Sequence, residues 1–292
     1  MKPSPFKYYA PTTVEEALAR LAEYGYDAKV LAGGQSLIPM LNFRLAQPSV
    51  LVDLNNVSEL FYIRPDENGG LLLGAMTRQS QVEHDTLVAE RAPLVHEVIP
   101  QIAYPSIRNR GTFGGSLAHA DPSAELVAVN MALNGRFRLR SQAGERWVPA
   151  DEFFVGLFTT VLEPDELLVE VALPAMPPRS GGAFLQITRR HHDFCIAGVA
   201  VLVTLDGKGQ CEQARLVFLS AGDGPVIARQ AAEMLRGQTP TPEAIRAAAE
   251  KAADDEIDPG SDIHASAEYR RHLAQVLARR TLTQAFERAR GG

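Results

Sequence analysis

The chain has 292 residues, of which 46% are hydrophobic and 22% charged, values that are ordinary for a globular protein of two or three domains. Its formal net charge is −6 and its basic residues form no long run, which argues against a nucleic-acid or anionic-membrane partner. We therefore expect a sizeable hydrophobic core and no nucleic-acid function.

Targeting signals and metal motifs are also missing from the sequence. The start, MKPSPFKYYAPTTVEEALARL, lacks the apolar core of a signal peptide, and no apolar run approaches the ~20 residues of a membrane span. The two cysteines, Cys195 and Cys211, do not have the spacing of a zinc or iron–sulfur site. We expect a soluble, reduced protein of the cytoplasm with no transmembrane segment.

The N-terminal part alternates short strands with helices. Thr13 to Glu16 has the pattern of a capping box, and apolar residues at helical spacing follow it. Runs of apolar and β-branched residues predict strands at 29–32, 50–54 and 70–77. The segment SQVEHDTLVAERAPLVHEVIPQIA predicts a helix, a turn and a second helix that begins near Pro93.

A further helix and several strands lead to a boundary. Asp121 and Pro122 are typical of an N-cap and a first helical residue, so a helix is expected through 133. Strand-like alternation follows in RFRLRS, in RWVPADEFF and at 166–174. Three prolines and two glycines within 174–182 then indicate a linker or domain boundary.

The C-terminal part has a different character. Three strands are expected in AFLQITR, CIAGVAVLVTLD and CEQARLVFLSAG, with DGKGQ as a hairpin turn between the last two. Alanine- and charge-rich helices follow at 227–236, 242–253 and 266–289. The order is therefore a mixed N-terminal part followed by a small sheet and a helical bundle.

Two glycine pairs stand out, in LAGGQSLIPML (31–41) and in GTFGGSLAHADPSAEL (111–126). Adjacent glycines permit positive φ and remove side chains, so that several backbone N–H groups can converge on one anion such as a diphosphate. No G-x-G-x-x-G, P-loop or G-x-S-x-G motif occurs in the chain. Plain tight turns that bind nothing are the alternative.

The residues around these pairs match a known family. KVLAGGQSLIPMLNFRLAQPSVLVDLNNV and IRNRGTFGGSLAHADPSAEL closely resemble the two FAD-binding motifs of the medium, flavoprotein subunit of molybdenum hydroxylases, which include carbon monoxide and xanthine dehydrogenases. The resemblance continues in DEFFVGLFTTVLEPDELLVEVALP and AFLQITRRHHDFCIAGVAV, and it covers essentially the whole chain.

The resemblance implies an α+β fold with two domains. The first, residues 1–176, would be an FAD-binding domain of the vanillyl-alcohol oxidase or PCMH type, with subdomains of about 1–57 and 58–176. The second, residues 177–292, would be the carbon monoxide dehydrogenase flavoprotein C-terminal domain, a small antiparallel sheet plus a helical bundle.

The resemblance also assigns cofactor contacts. In the family the first loop gives backbone N–H groups to the FAD diphosphate, which here implies Ala32, Gly33, Gly34, Gln35, Ser36 and Leu37. The second loop contacts the diphosphate and ribityl chain from the other side, through Gly111, Thr112, Gly114, Gly115 and Ser116. Lys29 stands where the family often has a basic residue, although a solvated strand-edge lysine explains it equally well.

Further residues follow by the same resemblance. Flavin contacts are implied for Ile102, Ala103 and Leu168, the last of which also reads as an ordinary buried strand residue. Asp121 is a further predicted FAD contact. Glu125 occupies the position of an acidic residue, often Asp, that bonds FAD hydroxyls in the family. Gln186 replaces a common lysine, and Phe194 lies near the position of an aromatic that covers the isoalloxazine ring. The pair His191-His192 has no third ligand in view, so no metal is expected.

The function implied is that of an electron-transfer subunit with non-covalent FAD. Electrons from a molybdenum centre would pass through the [2Fe–2S] clusters of a partner to this flavin, and then to NAD⁺, a quinone or O₂. The molybdenum-pterin cofactor and the clusters would lie on a large and a small partner subunit, in a heterotrimer or a dimer of heterotrimers. No residue is assigned as catalytic, because the cofactor carries the redox chemistry.

Two other classes of function compete with this reading. A stand-alone flavin oxidase of the vanillyl-alcohol oxidase superfamily would need its own substrate cavity, and a non-enzymatic scaffold would leave the glycine turns without a ligand.

Overall fold

The computed structural model describes residues 2–291 and arranges them around three main sheets. A three-stranded parallel sheet comes first, a five-stranded antiparallel sheet second and a four-stranded antiparallel sheet last. A two-stranded hairpin is inserted in the chain before the last strand of the second sheet. The mixed helix and strand content agrees with the expected α+β class.

The first sheet is built around its central strand. Its elements are β1 Lys7–Tyr9, α1 Val14–Tyr24, β2 Ala28–Leu31, α2 Leu37–Asn42 and β3 Val50–Asp53. The strand order is β1-β3-β2, and α1 buries its apolar face against this sheet. The predicted N-cap of α1 is confirmed, since the Thr13 side chain accepts the Glu16 N–H at 3.2 Å. The Glu16 carboxylate accepts the N–H of Thr12, at 2.8 Å, rather than that of Thr13 as in a capping box.

The second sheet has the order β4-β5-β10-β6-β7, with most of the short helices inserted between β5 and β6. Its strands are β4 Ile63–Pro65, β5 Leu71–Gly74, β6 Arg136–Ser141, β7 Gly144–Pro149 and β10 Leu167–Leu173. The two-stranded hairpin before β10 consists of β8 Phe154–Gly156 and β9 Thr159–Thr160. The helices are α3 Gln79–His84, α4 Thr86–Arg91, α5 Pro93–Val98, α6 Pro105–Arg108, α7 Phe113–His119, α8 Glu125–Ala132 and α9 Ala150–Phe153. Helix α8 is buried along its whole length, because it packs against the third sheet on one side and against α5, α7 and α9.

The third sheet and its helices form the C-terminal part. The elements are β11 Ser180–Thr188, β12 Cys195–Leu205, β13 Cys211–Leu219, β14 Val226–Ile227, α10 Arg229–Leu235, α11 Pro242–Lys251, a π-helical turn Ala252–Glu256 and α12 Ala267–Gly291. Helix α12 crosses β11 closely: a β-carbon at Gly181 would lie 2.0 Å from the Ala285 carbonyl oxygen. No helix within residues 2–291 combines the length and apolarity needed to cross a membrane.

Four sequence expectations need correction. The strand expected over RWVPADEFF ends at Pro149, and the next four residues form the short helix α9. The segment after β5 forms three helices rather than two, because Asp85 caps α4 by accepting the Val88 N–H at 3.1 Å before Pro93 starts α5. Asp121 is not an N-cap: its carboxylate closes a turn by accepting the Ser123 N–H at 2.8 Å, and α8 starts only at Glu125. The expected helix at 227–236 is preceded by β14 and is shorter, as α10.

The two halves of the chain meet beside this turn. The Ser220 N–H, at the end of β13, donates to the Pro122 carbonyl at 3.0 Å, and the hydroxyls of Ser220 and Ser123 lie 2.8 Å apart. The C-terminal sheet is therefore attached directly to the segment that follows the second glycine pair.

Candidate functional site

The first glycine loop, residues 32–36, joins β2 to α2 and leaves the N–H side of its backbone free. No hydrogen bond among residues 2–291 uses the N–H groups of the five consecutive residues 33–37. Successive unpaired N–H groups in a tight turn form a concave donor surface that suits a phosphate or another anion. The bare backbone expected from the sequence is thus present in this loop.

Most carbonyl groups of the same loop are occupied. The Ala32 carbonyl accepts Asn55 Nδ2 at 3.0 Å, and the Gly33 carbonyl accepts Gln35 Nε2 at 3.0 Å. The Gly34 carbonyl accepts an N–H of the first turn of α2, also at 3.0 Å. Because most of the carbonyls are paired and the N–H groups are not, the loop presents mainly the positive ends of its peptide dipoles.

The two glycine loops are in direct contact. A β-carbon on Gly33 would lie 2.3 Å from the Arg110 carbonyl oxygen and 2.8 Å from the Gly111 Cα. A β-carbon on Gly115 would lie 3.2 Å from the Ala32 β-carbon. The structure therefore brings together two segments that are far apart in the sequence, as a shared anion site requires.

The second loop differs from the expectation that it offers several N–H groups. Thr112 caps α7 by accepting the Gly115 N–H on its hydroxyl at 3.1 Å, and its carbonyl accepts the Ser116 N–H at 3.2 Å. The N–H groups of Phe113 and Gly114 donate to carbonyls just after β5, each at 2.9 Å. Within residues 2–291, the Thr112 N–H and the hydroxyl groups of Thr112 and Ser116 donate to no acceptor, so they are the donors that this loop retains.

Packing, rather than positive φ, explains most of these glycines. Gly34 has φ +74°, but Gly33 and Gly114 are not in the left-handed region, so positive φ accounts for only one of these three glycines. The Cα atoms of Gly33 and Gly114 each lie too close to another backbone segment to leave room for a side chain. A β-carbon at Gly114 would lie 2.5 Å from that of Ala75.

The turn at Ile102 and Ala103 is held by a buried arginine. Ala103 has φ +40°, which is unusual for a residue with a side chain. Arg108 Nη1 donates to the carbonyls of Ile102 at 3.0 Å and Ala103 at 2.9 Å. The rest of its guanidinium makes a bidentate pair with Glu83 at 2.7 and 2.9 Å, and this bonding lowers the pKa of Glu83. The predicted flavin neighbours thus lie on a fixed turn.

Glu125 and Gln186 form a polar pair between the two halves of the chain. Gln186 Nε2, on β11, donates to Glu125 Oε1, on α8, at 3.0 Å. Burial raises the pKa of Glu125 to about 7, with a smaller contribution in the same direction from the charge of Asp121. Gln186 Oε1 is buried and has no partner within the described residues.

This raised pKa predicts a pH-dependent stability. Between pH 4.5 and 7 the folded chain holds a proton on Glu125 that the unfolded chain releases, so this group's contribution to stability falls as the pH rises through that window. We expect Glu125→Gln to remove a slope worth at most about 3 kcal/mol. Denaturant unfolding of apoprotein and variant from pH 4.5 to 8 measures it. A difference in unfolding free energy that is constant with pH would contradict the prediction.

Three predicted contacts do not converge on the loops in any visible way. Lys29 is an exposed residue of β2, and Leu168 is 4% exposed within the core of the second sheet. Phe194 is 80% exposed, between β11 and β12. The rings of His191 and His192 are 5.2 Å apart, and no group of three or more metal-ligating side chains occurs in residues 2–291.

Sequence reasoning missed a set of side chains that contact both loops. Arg78 Nη2 donates to Asn55 Oδ1 at 2.5 Å, and Arg78 Nη1 donates to the Arg110 carbonyl. Asn55 also donates to Ala32 of the first loop. These contacts join residues 23 to 32 positions apart, so no local pattern announces them.

These residues fit FAD as a non-covalent guest. The free N–H groups of 33–37 suit its diphosphate, and the second loop lies against them with the Ser116 hydroxyl free. The unpartnered Gln186 Oε1 and the protonatable Glu125 offer an acceptor and a donor of the kind that sugar-like hydroxyls need.

Family models match nearly the whole chain. Residues 4–176 match the FAD binding domain in molybdopterin dehydrogenase. Residues 182–285 match the CO dehydrogenase flavoprotein C-terminal domain.

Individual relatives agree with these models. The 6-hydroxypseudooxynicotine dehydrogenase complex subunit alpha of Paenarthrobacter nicotinovorans is 43% identical, over 99% of this chain and 97% of its own length. A structure of carbon monoxide dehydrogenase from Hydrogenophaga pseudoflava, lacking the Mo-pyranopterin moiety of the molybdenum cofactor, superposes with a TM-score of 0.95 at 38% identity, over 99% of both chains. Quinoline 2-oxidoreductase from Pseudomonas putida 86 gives 0.92 at 37% identity, over 99% of both chains. The chain therefore belongs to the family of FAD-binding medium subunits of molybdenum-containing dehydrogenases and hydroxylases.

Proposed function

We propose that this chain relays electrons, through FAD, from the [2Fe–2S] clusters of a partner subunit to an external acceptor such as NAD⁺, a quinone or O₂. The observation that carries the proposal is the row of free N–H groups at 33–37, placed against the second glycine loop. Bound FAD supplies the redox chemistry, and the chain supplies its position, its shielding from water and its electrostatic environment.

Residues of both loops would hold the cofactor. The N–H groups of 33–37 would bind the diphosphate, supported by the Thr112 N–H and the Ser116 hydroxyl. Ile102 and Ala103 would border the flavin on the turn fixed by Arg108. The remaining proposed contacts, which rest on the family resemblance, are Lys29, Ala32, Gly111, Gly114, Gly115, Asp121, Glu125, Leu168, Gln186 and Phe194.

The chain's own groups do not replace the cofactor. Burial raises the pKa of the Cys211 thiol to about 11 and raises that of Cys195 further, so both remain protonated and unreactive near neutral pH. Glu125, with a pKa of about 7, can hold a proton at Oε2 while Gln186 bonds its other oxygen.

The proposal includes partners. A large subunit with the molybdenum-pterin cofactor and a small iron–sulfur subunit would complete a cytoplasmic heterotrimer or a dimer of heterotrimers. Relatives named for carbon monoxide, quinoline and 6-hydroxypseudooxynicotine all match nearly the whole of this chain. This likeness across different compounds supports placing substrate choice on another subunit. We also propose that the first and second sheets are the two subdomains of a PCMH-type domain ending near residue 176, followed by the C-terminal domain from 177.

The relay can be tested in the complete complex after FAD removal. We expect a substrate of the complex to reduce the iron–sulfur clusters still, because that step precedes this subunit, while transfer to the external acceptor stops. Adding FAD should restore the transfer and the flavin absorbance together. Cluster absorbance and acceptor reduction are followed in the same sample.

Two outcomes would contradict the proposal. Acceptor reduction at the normal rate without FAD would place the exit of electrons on another subunit. Turnover of a substrate by the isolated chain with FAD would favour the stand-alone oxidase instead.

A further inference from the structure

The contact between the two glycine loops offers little that could hold them together. At Gly33 and Gly111 main chain meets main chain without any intervening side chain, so no apolar side-chain packing ties the loops at that point. The first loop extends from the parallel sheet and the second from the helices of the five-stranded sheet. A separate interaction is needed to keep their spacing constant.

Arg78 supplies that interaction with a forked guanidinium. Its Nη1 donates to the Arg110 carbonyl, the same oxygen that Gly33 approaches. Its Nη2 donates to Asn55 Oδ1 at 2.5 Å, and Asn55 Nδ2 donates to the Ala32 carbonyl at 3.0 Å. One arginine and one amide thus connect the carbonyls that flank the two glycine loops.

Both members of this connection are fixed by neighbours. The Asn55 N–H donates to Asp53 Oδ1 at 2.9 Å, and the Tyr8 hydroxyl donates to the other Asp53 oxygen at 2.6 Å. The Arg78 guanidinium lies 5.4 Å from the centre of the Phe61 ring, which orients its plane. A guanidinium carries donors and no acceptor, so it cannot pair with the loop N–H groups and leaves them free.

We propose that Arg78, acting through Asn55, is a positioning residue that holds the two glycine loops at the spacing required by the cofactor diphosphate. The inference rests on the proposed function for the identity of the ligand, but the clamp itself is a property of the apoprotein. It also places a fixed positive charge next to both loops, in addition to the exposed Arg110.

Arg78→Met tests the clamp in two independent measurements. In the apoprotein, we expect faster amide hydrogen exchange at Ile38 and Gly111, whose N–H groups are hydrogen-bonded to Gly34 and Ile107 at the two loops, and no change in β12 and β13. In titrations with FAD, we expect Kd to rise roughly tenfold to hundredfold, because two charge-assisted hydrogen bonds are lost. Arg136→Met is the matched control, since Arg136 also lies over an aromatic ring, at 5.0 Å from Trp147, but touches neither loop.

Arg78→Lys separates the clamp from the charge. Lysine keeps the charge but cannot reproduce a planar fork to two acceptors, so we expect most of the affinity loss and the faster exchange to persist. Full recovery of wild-type Kd and exchange by lysine would overturn the clamp in favour of charge alone. Unchanged loop exchange in Arg78→Met would overturn it as well.

The remaining outcomes are also decisive. If Arg78→Met does not fold, Asn55→Ala removes the other half of the connection. It should give faster exchange at Ile38, whose N–H donates to the Gly34 carbonyl of the first loop, and weaker FAD binding. Unchanged values of both would overturn the clamp. Failure of the unaltered chain to bind FAD would refute the proposed function, and the exchange data would still judge the clamp.

Discussion

Replacing Gly33 by alanine is expected to remove most of the FAD affinity of this chain, and replacing it by valine is expected to remove little more. Any β-carbon at this position would lie 2.3 Å from the Arg110 carbonyl oxygen, so the two glycine loops must separate in both variants. Separated loops cannot both hold one diphosphate, so several charge-assisted hydrogen bonds weaken together, and we expect a loss of roughly a hundredfold in affinity. Titration of the apoprotein with FAD, followed by flavin fluorescence, measures the effect.

The alanine and valine pair distinguishes two causes. If the side chain instead occupied the diphosphate position, valine would be far more harmful than alanine, and our account of Gly33 as a loop contact would be wrong. Gly260→Val is the matched control, because Gly260 is exposed, with open space around its β-carbon position and an ordinary φ. Unchanged FAD affinity in both Gly33 variants would place the diphosphate elsewhere.

Features with a local cause were predictable from the sequence. The cap at Thr13 and the hairpin turn at 206–210 depend on residues within four positions of each other, and both are present. The strand that leads into the first glycine pair was placed at 29–32 and is Ala28–Leu31. The family resemblance added the pairing of the two glycine loops, which no local pattern contains.

Features decided by competition or by distant neighbours were not predictable. Asp121 can cap a helix or close a turn on its own backbone, and the turn prevails beside the Ser220 contact. The second loop looked as free as the first, but the carbonyls after β5 take the N–H groups of Phe113 and Gly114. Arg78 carries no sequence signal, because its partners lie 23 and 32 residues away.

The two loops therefore have different physical roles. The first has unpaired N–H groups and mostly paired carbonyls, which is the polarity that an anion needs. The second uses its N–H groups to fix itself to the five-stranded sheet, so it acts mainly as a firm surface against which the first loop is placed. Similar glycine spacing in the two motifs conceals this difference.

Replacing Arg108 by methionine is expected to lower stability by about 3–5 kcal/mol, because it leaves the mostly buried Glu83 carboxylate without its bidentate partner. The same change frees the carbonyls of Ile102 and Ala103, so the left-handed turn at Ala103 loses its support. FAD affinity should fall as well if these residues border the flavin. Denaturant unfolding of the apoprotein and FAD titration measure the two effects.

A double variant separates the ion pair from the turn. Adding Glu83→Met to Arg108→Met removes the unpaired charge, and apolar replacements of buried pairs are often close to neutral, so most of the lost stability should return. The FAD affinity should not return, because the carbonyls of Ile102 and Ala103 still lack the donors of Arg108. Recovery of both properties would show that Arg108 serves only the ion pair, and recovery of neither would show that the pair is not the source of the instability.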